Sequence, residues 1–369
     1  MTLVNHLGEY NTKEGANGEE APAPTKEIVM KSHTAPKRLL KQFSYKHPVE
    51  QSDWLWQYTK GKKPNGRKSP TSATRIDGFY ADPDDSAIEV EVETRLAQEI
   101  EQPVNDFMDE VCDPGFVLTD ERKLAFTRYI FMMFQRSQAR RSGQGPMMAV
   151  RTHAFTAFLN NPTQLATVAA HWNMEAMAQG RMFSDGPIMP EDVAEGAKRM
   201  MRMHDTPNAL QRSYVEGIMN QMSHVDPLLL ASEWRWVFTK PDDPFMLGDS
   251  PVITFARAVD GKLDYGMGFH EPNVEVALPM SPTACLHLLP AVANRRPAQM
   301  PTTWEINWGQ AGYAFEHCFC NADLAHLDAI MQGNGGAFEM GTKTYRLPHE
   351  NYNNHVCDIL MGIRKPQNW

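Results

Sequence analysis

The hydrophobic period of this 369-residue chain changes near residue 230. From about residue 86 to that point apolar residues recur at helical spacing; from there to about residue 290 they alternate or run in short strand-like blocks. Helices are predicted over 86–111 with a kink at Pro103, over about 120–140, and through Thr163–Gln179, Glu191–His204 and Asn208–His224. Strands are predicted at Trp234–Thr239, Phe245–Leu247, Val252–Phe255, Val274–Leu278 and Cys285–Leu289, with Asp260-Gly261 as a hairpin turn. Two further helices follow, at Thr303–Glu316 and Ala322–Met331. A run of helices followed by a run of strands, with no βαβ alternation, defines an α+β fold: a helical lobe packed on a mostly antiparallel sheet. The helical lobe spans about 80–230 and the sheet about 232–290. One helix is apolar nearly all round, through Leu124, Phe126, Tyr129, Ile130, Phe131, Met132, Met133 and Phe134, and so belongs at the centre.

Nearer the N-terminus, Ile28–Met30 reads as a strand, and Ser32 or Thr34 as the cap of a helix through Phe43 with Pro36 in its first turn. Trp54–Tyr58 is strand-like, and Lys60-Gly-Lys-Lys-Pro-Asn-Gly is a basic turn. Ser86-Ala-Ile-Glu89 has the form of a capping box. Residues 1–27 are expected to be a disordered acidic tail, 28–330 a single domain, and 331–369 a C-terminal extension packed on it.

Charge is distributed in blocks. Residues 31–68 hold ten bases against Glu50 and Asp53, while 77–121 hold fifteen acids against Arg95 alone. From Arg122 to Met174 there is no acid and there are seven bases. These blocks fit either mutual packing of opposite charges or an anion-binding cleft lined by the acid-free segment. The overall charge of −9 speaks against a nucleic-acid coat. No apolar run is long enough to cross a membrane. The odd count of five Cys and the absence of a secretory signal point to a cytoplasmic setting with reduced thiols. The nucleotide-binding glycine loops, the Gly-x-Ser-x-Gly elbow and His-Glu-x-x-His are all absent from the sequence. Methionine is abundant, and thirteen of the 23 lie between Met132 and Met222, where pliable thioethers suit irregular helix packing.

Five charged or titratable positions stand out. On the acidic helix, Glu93 falls at about 140° from Ile88, between Ile100 and Val104, so a carboxylate enters the apolar stripe. It is either a structural ion pair or a catalytic or metal-ligating group. Arg136 and Arg140 continue the apolar face of the central helix and could clamp an anion, or complement the helix dipole. His33, three residues before Pro36, is a candidate general acid or base. Asp249, between Gly248 and Ser250-Pro251, is rigidly held at a strand end, as a turn residue or a functional one. The His and Cys residues around 285–326 lack the paired spacing of a zinc site.

Four islands occur in order: Ser32-His-Thr-Ala-Pro-Lys-Arg-Leu-Leu-Lys-Gln-Phe43, Glu93-x-x-Leu-Ala-x-x-Ile-Glu101, Phe245-Met-Leu-Gly-Asp-Ser-Pro-Val252 and Ala277-Leu-Pro-Met-Ser-Pro282. Together they resemble the uncharacterised family named domain of unknown function 4238, over roughly residues 30–320. The family's Gln-x-x-Arg pattern after the buried helix is not met cleanly. Gln135 is followed by Arg136, Gln138 stands where the Arg would fall, and Arg140 and Arg141 come just behind. The resemblance implies candidate positions and no activity.

Two functions are consistent with these residues. The first is an enzyme acting on a phosphate-bearing small molecule or nucleic acid, such as a metal-dependent hydrolase or nuclease. In it, Glu93 and Asp249 hold a divalent cation (Mg or Mn), Gln135, Arg136 and Arg140 bind substrate, and His33, Glu93 and Asp249 carry the catalysis. The second is a non-enzymatic interaction protein that uses a Met-rich helical face and the basic segment 31–68.

Overall fold

A computed structural model of the chain describes residues 31–335 apart from 83–84, 86, 114, 143–154, 179–185, 203–205, 258–260, 267, 270–272 and 292–299. The fold is α+β, and every strand pairing among the described residues is antiparallel. The expected acidic tail, most of the C-terminal extension and the Ile28–Met30 strand lie outside the described residues.

Three sheets form the β part. The largest has the order β6 (Glu233–Phe238), β11 (Ala284–Leu289), β10 (Glu275–Ser281), β8 (Ile253–Arg257), β9 (Leu263–Tyr265). Every residue of β10 and β11 is buried, which explains why these strands read as continuous apolar runs rather than alternating ones. The second sheet links β2 (Tyr45–Lys46), β3 (Asp53–Thr59), β12 (His317–Cys320) and β7 (Leu247–Gly248), with β4 (Lys62–Lys68) also on β3. Thus the expected basic turn narrows to a bend at Gly61, whose φ of 64° suits glycine, and the remaining residues extend as a strand. The third is a short ribbon of β1 (Lys31–His33) and β5 (Arg75–Asp77), with Ser32 opposite Ile76 and His33 opposite Arg75.

α1 (Lys37–Gln42) follows Pro36, which takes the cap position with no side-chain cap. The expected caps serve elsewhere: Ser32 donates to Glu89 and Thr34 to backbone carbonyls. The acidic helix is α2 (Ile88–Arg95), a π-helical segment (Leu96–Glu101) and α3 (Gln102–Asn105) in direct continuation. The π segment ends two residues before Pro103, which has no N–H to keep the regular ladder. Of the expected capping box, Ser86 is outside the described residues and Glu89 turns inward instead.

Next comes α4 (Asp120–Gln135), capped by Thr119, whose hydroxyl accepts from the Arg122 N–H. Its buried residues include Phe126, Tyr129, Ile130, Phe131, Met132 and Met133, so it is central as its composition requires. The helix does not continue to Arg140. It stops at Arg136, and α5 (Gln138–Ser142) restarts after Ser137, whose hydroxyl accepts from the Arg140 N–H.

α6 (Pro162–Ala178) and α7 (Pro190–Arg202) bury a separate apolar cluster of Phe158, Val168, Trp172, Val193 and their neighbours. α8 (Pro207–Gln221) and α9 (Pro227–Ala231) return the chain to the main core, where α4 packs against Trp234 and Phe116 against Trp236. α10 (Thr303–Tyr313) opens with a full capping box of Thr302 and Glu305. It lies so close to the large sheet that a methyl on Gly309 would come within 2.6 Å of Tyr265. α11 (Ala325–Gly333) closes a third apolar cluster with Tyr58 and Met246. The methionines divide: Met132, Met133 and Met222 are fully buried, whereas Met174, Met177 and Met189 are exposed.

Candidate functional site

The acidic helix brings three carboxylates to one side. Glu89 and Glu93 are four residues apart, one turn of α2. Glu101 follows Glu93 by eight residues, which in a regular helix would set it about 80° away. The π segment takes up one extra residue without advancing the helix, and this brings Glu101 to within about 20° of Glu93. The slip in register thus assembles the acidic half of a site.

The basic half comes from the end of the central helix. Arg136 is the largest fully buried side chain of the chain's described residues. Its Nη1 donates to Glu101 Oε1 at 2.7 Å, while Nε and Nη2 have no partner. Because Arg136 ends α4, its guanidinium reaches beyond the helix toward the acidic one. Burial opposes its charge, and the Glu101 carboxylate holds it firmly protonated.

Two tyrosines complete the floor. Tyr129 projects from α4, and Tyr80 follows β5 after a turn at Gly78, whose φ is 62°. Both are completely buried, both lie in the field of Arg136 and Glu101, and neither hydroxyl has a hydrogen-bond partner. Burial pushes both phenols upward, so both stay neutral donors. Tyr80 stacks on Tyr214, and Phe79 meets both rings edge-on.

Glu93 is half-buried, and its Oε1 is also unpartnered. Burial raises its carboxyl above the ordinary range, against the pull of Arg136 and of Ser32, whose hydroxyl donates to Glu89 at 3.1 Å. His33 is at the rim. Its Nε2 donates to the Thr71 carbonyl at 2.9 Å, which leaves Nδ1 as the lone-pair nitrogen. Burial lowers its pKa, with Arg75 and Arg136 adding to that effect, so the ring is neutral near pH 7.

The structure therefore brings together three of the expected site residues: His33, Glu93 and Arg136. Gln135 contributes its backbone carbonyl, which accepts from Tyr214 at 3.4 Å. Arg140, carried on the separate α5, stacks over Phe134 at 5.6 Å and acts on Tyr214 only at a distance. Beside it, Arg141 lies 4.6 Å over Phe79 and bonds Gln211.

Asp249 does not join the cluster. Its carboxylate accepts the N–H groups of Phe315, Glu316 and His317 at 2.6, 2.8 and 2.9 Å, fastening β7 to β12. Burial pushes this carboxyl up and the three donors oppose the shift. Only its backbone approaches β1, accepting from Thr34 at 3.4 Å. The rigid aim expected of this residue is real, but the target is main chain. Glu93 and Asp249 are therefore not a cation-holding pair, and among the described residues no three His, Cys, Asp or Glu side chains are grouped to hold a metal.

Sequence reasoning missed Glu101, Tyr80 and Tyr129. A signal for Glu101 existed, since it closes the Glu93-to-Glu101 island. Tyr129 was hidden in an apolar face, where a phenol counts as core.

The fold and cluster define an α+β protein in which a polar site of carboxyls, guanidinium and phenols is enclosed between the acidic and central helices. Its sequence matches the family described as "Protein of unknown function (DUF4238)" over residues 31–299, nearly three quarters of the chain, and the protein belongs to that family. No curated protein and no solved structure matches it. No helix among the described residues is long and apolar enough to cross a membrane.

Proposed function

We propose that the cluster is the active site of an enzyme acting on a phosphate-bearing substrate, and that the reaction is hydrolytic. One observation carries this reading. Four donors, Arg136 Nε and Nη2 with the hydroxyls of Tyr80 and Tyr129, are buried together without acceptors. Each unmet buried donor costs about 1–3 kcal/mol. An oxyanion would satisfy all four, and a preformed array of donors is what stabilises charge on transferring phosphoryl oxygens.

The remaining residues supply proton transfer. His33, neutral with a free Nδ1, takes a proton from the attacking water as its oxygen bonds to phosphorus. Glu93, whose burial favours the protonated carboxyl, gives its proton to the leaving oxygen as the phosphorus–oxygen bond breaks. Glu101 touches no substrate and positions Arg136. Asp249 holds the scaffold, and no step is assigned to a cation.

Release of inorganic phosphate from a panel of phosphorylated compounds tests this reading. Wild-type protein should release it, and Glu93→Gln and His33→Asn should each lower kcat by about a hundredfold or more while the fold persists. Equal turnover in Glu93→Gln would remove the general acid from the scheme.

A second reading, non-enzymatic docking, draws on Met174, Met177 and Met189, which are 62, 67 and 52 % exposed. It expects a partner to be captured by this α6–α7 face, with capture surviving every substitution in the buried cluster.

A further inference from the structure

Within the reading above, the chemistry of the cluster narrows the substrate class. We infer that the site takes a terminal phosphomonoester group, and that an internal phosphodiester of a nucleic-acid strand does not fit it.

The first observation is where the donors lie. Tyr80 and Tyr129 are 0 % exposed and Arg136 is 1 % exposed, whereas His33, Glu93 and Glu101 are only half-buried. The donors therefore form a closed floor, and the titrating groups form the rim. A group reaching the floor must be the end of a molecule. A strand passing through would need both of its continuations to leave from a buried point, past Phe79, Tyr214 and the side chains of two helices.

The second observation is the number of donors. Four donor atoms, with five N–H and O–H hydrogens between them, are unmet. A terminal phosphoryl group offers three non-bridging oxygens with ample lone pairs for all four. A diester offers two such oxygens and directs its other two into ester carbons. Placed on the same floor, it would press carbon against at least one buried donor and leave that donor unsatisfied.

The test is calorimetric titration of the full chain with phenyl phosphate, diphenyl phosphate, inorganic phosphate and benzoate. The expected result is binding of phenyl phosphate and inorganic phosphate, with diphenyl phosphate and benzoate at least a hundredfold weaker. Tyr80→Phe and Tyr129→Phe, which remove one hydroxyl each from an already unpartnered position and so leave the fold intact, should each weaken phenyl phosphate by about ten- to a hundredfold. Diphenyl phosphate binding as tightly as phenyl phosphate overturns the inference and leaves the phosphate reading standing. Failure of every phosphate compound to bind overturns both, and identifies the cluster as a site for buried water. Phenyl phosphate binding unchanged in both tyrosine variants overturns the assignment of the floor.

Discussion

Removal of the Glu101 carboxylate tests the cluster at its structural root. Arg136 is buried, with its side chain 2 % exposed, and its only ion-pair partner among the described residues is Glu101, itself 20 % exposed, at 2.7 Å. Breaking a buried pair from one side costs about 3–5 kcal/mol, because the surviving charge stays desolvated. The partial exposure of Glu101 places Glu101→Ala at the lower end, about 3 kcal/mol. Glu101→Gln retains an oxygen for Nη1 and loses only the charge, so its cost should be about 1–2 kcal/mol, the difference between a charged and a neutral hydrogen bond. Replacing both partners by apolar groups, Glu101→Leu with Arg136→Met, should restore stability to near the wild-type value. Urea denaturation followed by tryptophan fluorescence measures all three, with the shift expected in the midpoint and an unchanged slope. A cost below about 1 kcal/mol for Glu101→Ala would refute the argument, since Arg136 would then have another route to compensation.

Three further outcomes follow from the same geometry. Glu93 has a raised folded-state pKa, so its contribution to stability is present at low pH and is lost as pH rises through that value; Glu93→Gln should be as stable as wild type in acid, gain on it as pH rises from the ordinary carboxyl range through the raised value, and hold a constant advantage above it, as thermal melts across pH would show. Asp249→Asn should cost about 2–4 kcal/mol, because an amide cannot accept all three N–H groups and turns a donor toward one of them; phosphate binding by the folded fraction should be unaffected, and a loss of binding there would restore Asp249 to the site. Gly309→Ala should destabilise by about 1–3 kcal/mol, because its methyl would press on Tyr265 and Ile253 at 2.6 and 2.8 Å and force α10 off the sheet; an unchanged denaturation midpoint would contradict this packing.

The fold was largely legible because its signals are periodic. The change of hydrophobic period near residue 230 separates the helical run ending at Ala231 from the large sheet that follows, and the all-round apolar segment is the central α4. The site was legible only where a side chain's direction follows from regular geometry. Glu93 was found because α2 is a regular helix up to Arg95. Glu101 was not, because the π segment shifts the phase just before it, and no pattern of residue types announces that slip except the nearby proline. Arg140 was placed on the wrong face by extending a helix that Arg136 and Ser137 in fact interrupt. For Asp249, local rigidity was readable, but its partners are backbone groups more than sixty residues away. Such contacts carry no side-chain signature in the sequence.

The most direct test of the central claim is a crystal structure of the full chain soaked with inorganic phosphate. The expected result is a tetrahedral anion held by Arg136 Nε and Nη2 and by the hydroxyls of Tyr80 and Tyr129, with Glu93 at the rim. Phosphate absent from this floor and found instead along the Lys60–Lys68 hairpin, with only water beside Arg136, would contradict it.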